Sequence, residues 1–155
     1  MTVASLEQAI PVGERLVLDT TALAAYLDAS EATHELARHV IDGMVGPGRN
    51  PAIVSMITVM EILVRPLRAT PHGHHTILAF LRGQPNLTAV PVDLQIAQDA
   101  ASLRAVQRFS PPDALIVGTG LATQVGQLVT NDRDWARKLA GLEAWIRVCT
   151  LADHL

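Results

Sequence analysis

The stretch Arg15-Leu16-Val17-Leu18-Asp19-Thr20-Thr21-Ala22-Leu23 decides the fold class. Residues 15–18 end in an apolar run too short to be a helix, Asp19, Thr20 and Thr21 interrupt it, and Leu23, Ala24, Tyr26 and Leu27 then recur at helical spacing. The reading is strand, turn, helix. The same alternation continues downstream. A helix is expected over 31–44 from Ala32, Leu36, Ala37, Val40 and Ile41, and Gly43, Gly46, Pro47 and Gly48 end it. Ala52–Ser55 is a second strand. Residues 56–64 form a helix that should stop before Pro66, because the residue preceding a proline is pushed out of helical geometry.

Residues 70–75 read as a loop or helix entry, and 77–81 as a further helix leading to a third strand over 87–92. Asp93 is placed to cap a helix reaching Gln107. A mostly apolar helix starts near Asp113, behind Pro111 and Pro112. Strand Gln127–Thr130, a short helix from Asp134 and a last strand over 146–149 follow. Short apolar strands alternating with helices imply an α/β fold, a parallel sheet covered by helices on both faces. The chain shows no internal repeat or low-complexity tract.

A length of 155 residues suits one domain, taken as 15–155 with an N-terminal extension over 1–14. Nearly half the residues are apolar and only 3% aromatic, so the core must be made of Ala, Val, Leu and Ile. The single Cys149 excludes an intramolecular disulfide and a Cys-based zinc site, and in its apolar run it should behave as a small hydrophobe. No basic segment followed by an apolar run opens the chain, and no stretch reaches the roughly 20 apolar residues of a membrane helix. A soluble, cytoplasmic protein is expected. The net charge of −3 argues against a surface that coats itself in nucleic acid. Any RNA contact must be local, from a patch among Arg65, Arg68, Arg104, Arg108, Arg133, Arg137 and Lys138.

Four acids carry the functional signal. Asp19 follows the first strand and Asp132 follows Val129 and Thr130, so both point to the rim where parallel sheets collect ligands. Asp19 can also be read as a turn residue bonding backbone amides, and Asp113 as a helix N-cap. Glu61 stands among Met56, Ile57, Val59, Met60, Ile62, Leu63 and Val64, where a carboxylate is costly unless paired or bound to a cation. An ion pair with Arg65, one turn on, is the plain alternative. Asp132 and Asp134 compete for the fourth place. Carboxylates brought together repel one another, and Mg²⁺ or Mn²⁺ converts that repulsion into binding through hard oxygen ligands.

Four segments, 16–23, 55–61, 113–117 and 128–135, resemble in order and spacing those of PIN-domain ribonucleases, in particular the VapC-type toxins of toxin–antitoxin modules. The resemblance spans nearly the whole chain, from Leu16 to Leu151. It implies a three-layer α/β/α sandwich with a central parallel sheet, and a metal-dependent endoribonuclease with Asp19, Glu61, Asp113 and Asp132 as catalytic acids and metal ligands. Thr20 and Thr130 match supporting hydroxyl positions, and Asp134 is the reserve for the fourth acid. It also implies an RNA substrate, a cognate antitoxin and a homodimer. Trp135 stands where the family commonly has Phe, a departure that ordinary packing explains.

Other readings are weaker. His72, His74 and His75 invite a transition-metal site, but nothing nearby supplies acid ligands and an exposed loop explains them. Gly118-Thr119-Gly120 falls inside a helix and lacks the third glycine of a dinucleotide fingerprint. An aspartate-nucleophile phosphatase usually carries a second Asp where Thr21 stands, and relies on a well-placed Lys, of which the chain has only Lys138. A non-catalytic module of the same fold, held by a protein partner, is the main rival.

Overall fold

Strand β1 (Leu16–Leu18) is buried at every position, as expected of a strand covered on both faces. In the computed structural model, which describes residues 3–155, it is the centre of a five-stranded sheet. β2 (Ala52–Ser55), β3 (Leu87–Val90), β4 (Gln127–Thr130) and β5 (Arg147–Thr150) complete the order β3-β2-β1-β4-β5. Every pairing is parallel, with Leu16 opposite both Ala52 and Gln127 and Leu18 opposite Val129. The chain winds outward from β1 to β3 and then returns to β4 on the other side of β1. The winding direction therefore reverses between β1 and β4, the place where open parallel sheets collect ligands.

Alternate residues of the strands feed two cores. Leu16, Leu18, Val54 and Val129 pack with α1 (Val3–Ala9), α2 (Thr20–Leu27), α3 (His34–Arg38), Ile62 of α4 (Met56–Ala69) and Leu81 of α5 (His75–Gly83). Val17, Ile53 and Leu128 pack with α6 (Leu94–Gln107), α7 (Pro111–Ala122) and α8 (Asp134–Lys138). This is the expected three-layer α/β/α sandwich. The segment before Arg15 is built into it: Leu6 and Ile10 are fully buried in the first core. The buried Asn50 secures the segment by donating through Nδ2 to the carbonyls of Pro11 and Glu14 at 2.7 and 2.9 Å. Among the described residues, no helix is long and apolar enough to cross a membrane.

Local departures from the sequence reading have physical causes. The helix expected over 31–44 begins only at His34 and turns into a π-helix over His39–Val45. The widened turn falls where Gly43 offers no side chain; a Cβ there would stand 3.1 Å from the His39 ring. Helix α4 does not stop before Pro66 but runs through it to Ala69. Proline costs a helix interior about 3 kcal/mol, yet Ile62, Pro66 and Ala69 lie on one face. That face lines an open cleft with Ala24, Leu27 and Ile77 of α2 and α5, and only Ile62 of the three is buried. β3 ends at Val90 rather than 92, and β5 is shifted one residue toward the C-terminus. Gly118 allows α6 and α7 to touch, since a Cβ there would stand 3.2 Å from the Ile96 carbonyl oxygen.

Candidate active site

Asp19 caps α2 from the end of β1 and is 3% exposed. Its two oxygens accept from four donors. The Ala22 N–H and the Thr21 hydroxyl bond Oδ1, each at 2.9 Å. The Thr130 hydroxyl and the Trp135 indole N–H bond Oδ2 at 2.8 and 2.9 Å. A carboxylate offers about four lone-pair sites, so this one is saturated by its own chain. The hydroxyls are held in turn: Thr21 Oγ1 accepts from the Asn131 N–H at 2.8 Å, and Thr130 Oγ1 from the Asp132 N–H at 2.9 Å. Burial pushes the Asp19 carboxyl above its usual range, and the bonds from Ala22, Thr130, Thr21 and Trp135 oppose that shift.

Asp113 sits in the first turn of α7, whose cap is Ser110; its hydroxyl accepts from the Asp113 N–H at 3.4 Å. The N-cap alternative for Asp113 is thereby removed. Its side chain instead meets Lys138 Nζ at 3.0 Å, and Asp132 meets the same ammonium at 3.6 Å. Nζ lies 4.9 Å from the centroid of the Trp135 ring. Partial burial pulls the ammonium down, but the hydrogen bond and charge of Asp113, with Asp132 behind them, more than reverse this and hold it above its ordinary range. Asp134 turns away to Arg137 at 3.5 Å on the solvent face. Of the two candidates for the fourth place, Asp132 is the one beside Asp113.

Glu61 accepts a short hydrogen bond from the Thr20 hydroxyl. Arg65 does not pair with it and reaches Asp28 at 3.6 Å instead. The physical ground expected for Glu61 fails, however. Helix α4 buries only Thr58 and Ile62, and its apolar residues Met56, Met60, Val64 and Leu67 are exposed. The helix is rich in apolar residues because its outer face is apolar, not because it is enclosed. An apolar cleft of about 400 Å³ opens beside Glu61 and Thr20.

The donor set fits a hard divalent cation in kind. Carboxylate and hydroxyl oxygens furnish it, and no Cys or His contributes. Its arrangement is closed: among the described residues, no group of three or more His, Cys, Asp or Glu stands close enough to share an ion. Each of the four acids is satisfied by donors of the same chain, and between Asp113 and Asp132 that donor is a cation.

Three contributors escaped the sequence reading. Trp135 was assigned to packing, and it does pack against Phe109 with ring centroids 6.3 Å apart. Its N–H to Asp19 is a bond that Phe cannot make, and the substitution of Trp for the common Phe was the available signal. Lys138 was placed in a basic patch, and its status as the sole Lys pointed no further. Thr21 carried no signal beyond lying next to Thr20.

An α/β sandwich with acidic residues at its switch point is a recognisable class. The chain belongs to the PIN domain family, whose model matches residues 16–141. Solved structures show the same fold. A toxin–antitoxin complex from Klebsiella pneumoniae is 20% identical, with a TM-score of 0.64 over 88% of this chain and 97% of that one. FitAcB from Neisseria gonorrhoeae is 18% identical, with a TM-score of 0.66 over 90% and 99%. VapC20 from Mycobacterium tuberculosis, a sarcin-ricin loop cleaving toxin, is 17% identical, with a TM-score of 0.62 over 79% and 93%. No curated protein matches the sequence.

Proposed function

We propose that the protein is a Mg²⁺- or Mn²⁺-dependent endoribonuclease and the toxin of a type II toxin–antitoxin pair. The observation that carries this reading is the meeting of Asp113 and Asp132 on one cation at the switch point, beside a buried Asp19. Asp113 and Asp132 would hold the ion, and Asp19 and Glu61 would join them by giving up a donor of their own chain, Thr130 for Asp19 and Thr20 for Glu61. A bound divalent ion supplies an activated water for attack on an RNA phosphodiester and stabilises the leaving oxygen. The chain's own contribution is placement: Trp135 links the two parts, its N–H on Asp19 and its ring face under the Lys138 ammonium that Asp113 and Asp132 share.

The partners follow the same reading. Solved structures of the same fold include toxin–antitoxin complexes and a sarcin-ricin loop cleaving toxin, which supports an RNA substrate and an inhibiting antitoxin protein, in a cytoplasmic setting where Cys149 stays free. A homodimer is part of the proposal. In the early helices Ala22, Ala25 and Ala37 are buried in the core, which leaves few apolar residues exposed there. The exposed apolar stripe of α4 is the better candidate, and Met60→Glu should shift a dimer to monomer in sedimentation.

Cleavage of total RNA with Mg²⁺ or Mn²⁺, with chelator, and by Asp113→Asn tests the activity. Loss of cleavage on the order of a hundredfold or more in the variant, with native circular dichroism, is expected. Full activity in the purified variant sinks the assignment. A second reading, a non-catalytic module held by a partner, is favoured by one observation: all four acids are already satisfied without an ion. Thermal melting at millimolar Mn²⁺ separates the two, because a ligand that binds only the native state raises stability.

A further inference from the structure

The four acids are satisfied in different ways. Asp19 and Glu61 are bonded by neutral groups. Asp113 and Asp132 share one positive charge, the Lys138 ammonium, at 3.0 and 3.6 Å, and Asp132 Oδ1 also accepts from the Asp134 N–H at 2.9 Å. No other basic side chain competes for that place among the described ion pairs: Arg65 pairs with Asp28, Arg133 with Asp153, Arg137 with Asp134 and Arg147 with Glu14. Lys138 is seated on three sides, by two carboxylates and by the face of Trp135 at 4.9 Å, whose indole N–H in turn holds Asp19. An aromatic face attracts a cation, so the seat is built for one.

The seat is also only partly enclosed. The side chains of Lys138, Asp113 and Asp132 are 27%, 21% and 39% exposed. Ion pairs at such positions are weak, because a long flexible side chain must be held in place against solvent. An ammonium is a point charge on a four-carbon stem rather than a two-pronged clamp, so it can leave without breaking a planar pair.

We propose that Lys138 is a positioning residue that occupies the cation place between Asp113 and Asp132, and that a divalent ion binds there by displacing it. The ammonium holds the two acids in position and offsets part of their mutual repulsion while no ion is present. It also sets how much divalent ion is needed to load the site. This rests on the reading of Asp113 and Asp132 as metal ligands, and the test keeps the two apart.

Mn²⁺ binding to the full-length protein is measured by calorimetry for the natural chain, Lys138→Met and Lys138→Arg. Lys138→Met, which keeps the stem and removes the charge, is expected to bind Mn²⁺ at least about fivefold more tightly. Lys138→Arg should stay near or below the natural affinity. Equal affinity in the natural chain and Lys138→Met overturns the proposal while leaving the carboxylate site intact. No binding by any of the three at millimolar Mn²⁺ overturns the metal reading itself, and this inference with it.

A second measurement needs no variant. Lys138 is the only Lys in the chain, so acylation of its amine by an activated ester can be followed by mass spectrometry of the peptide that carries it. Mn²⁺ should speed that labelling several-fold as the amine leaves its carboxylates. An unchanged rate at Mn²⁺ concentrations that calorimetry shows to be saturating overturns the displacement.

Discussion

The two corners of the site treat the same residue type in opposite ways. At the β1 corner, Asp19 is 3% exposed and fixed by four donors, three of them from side chains that are themselves held by packing or by backbone amides. At the α7 corner, Asp113 and Asp132 are partly exposed and share one flexible ammonium. Burying a charge is tolerable only when every lone pair is met, so the β1 corner has little freedom to change. Surface ion pairs are worth little and exchange readily. The difference separates a saturated, buried carboxylate from a partly exposed ion pair.

That contrast can be broken most directly by stability measurements. Asp19→Ala strands the Trp135 N–H and two hydroxyls and removes the cap of α2, and should cost about 3 kcal/mol or more in urea denaturation. Asp113→Ala should cost less than about 1 kcal/mol. Similar losses in the two variants would dissolve the distinction. Trp135→Phe tests one strand of the network: it retains an aromatic ring in the core but leaves Asp19 Oδ2 one donor short. A loss of about 2 kcal/mol is expected, whereas a loss near zero would return Trp135 to a packing role.

Cys149 sharpens the comparison from another side, because it is buried without a comparable set of donors. Burial, with the charge of Asp153 adding to it, pushes its thiol up to about 12. The folded state therefore keeps a proton that the unfolded chain loses near pH 8.5. Stability from this group is fully present below that value and declines as pH rises toward 12, by up to about 1.4 kcal/mol per pH unit. Alkaline denaturation of Cys149→Ala should lack this component, and the native thiol should resist alkylation at pH 8. The smallest effect is expected at Thr20→Val, which removes the donor to a partly exposed Glu61 and should cost less than about 1 kcal/mol, with a larger relative effect on RNA cleavage than on stability.

Much of this site was legible one residue at a time. Apolar runs ending in Asp19 and in Thr130-Asn131-Asp132 announced strand ends, and a parallel sheet brings such ends to one rim. Glu61 was selected because its helix is apolar, and that reason fails, since the apolar side of α4 is its outer face; only the alternative of an Arg65 pair is removed, because Arg65 reaches Asp28. Local sequence cannot tell an apolar helix that is enclosed from one that presents an apolar stripe to solvent. Pro66 misled as well: its local preference is real, yet the helix continues through it to Ala69.

The sequence by itself determined the order of strands and helices, the caps at Asp93 and in the turn after β1, the depth of Cys149, and the set of acids at strand and helix ends. These follow from periodicity and from short-range bonding, which act over a few residues. Only the tertiary structure decided which groups meet: that Trp135, 116 residues from Asp19, donates to it, that Asp132 rather than Asp134 stands beside Asp113, and that Lys138 sits between them. Such contacts join elements far apart along the chain. They are fixed by how the sheet orders its strands, which no local pattern encodes.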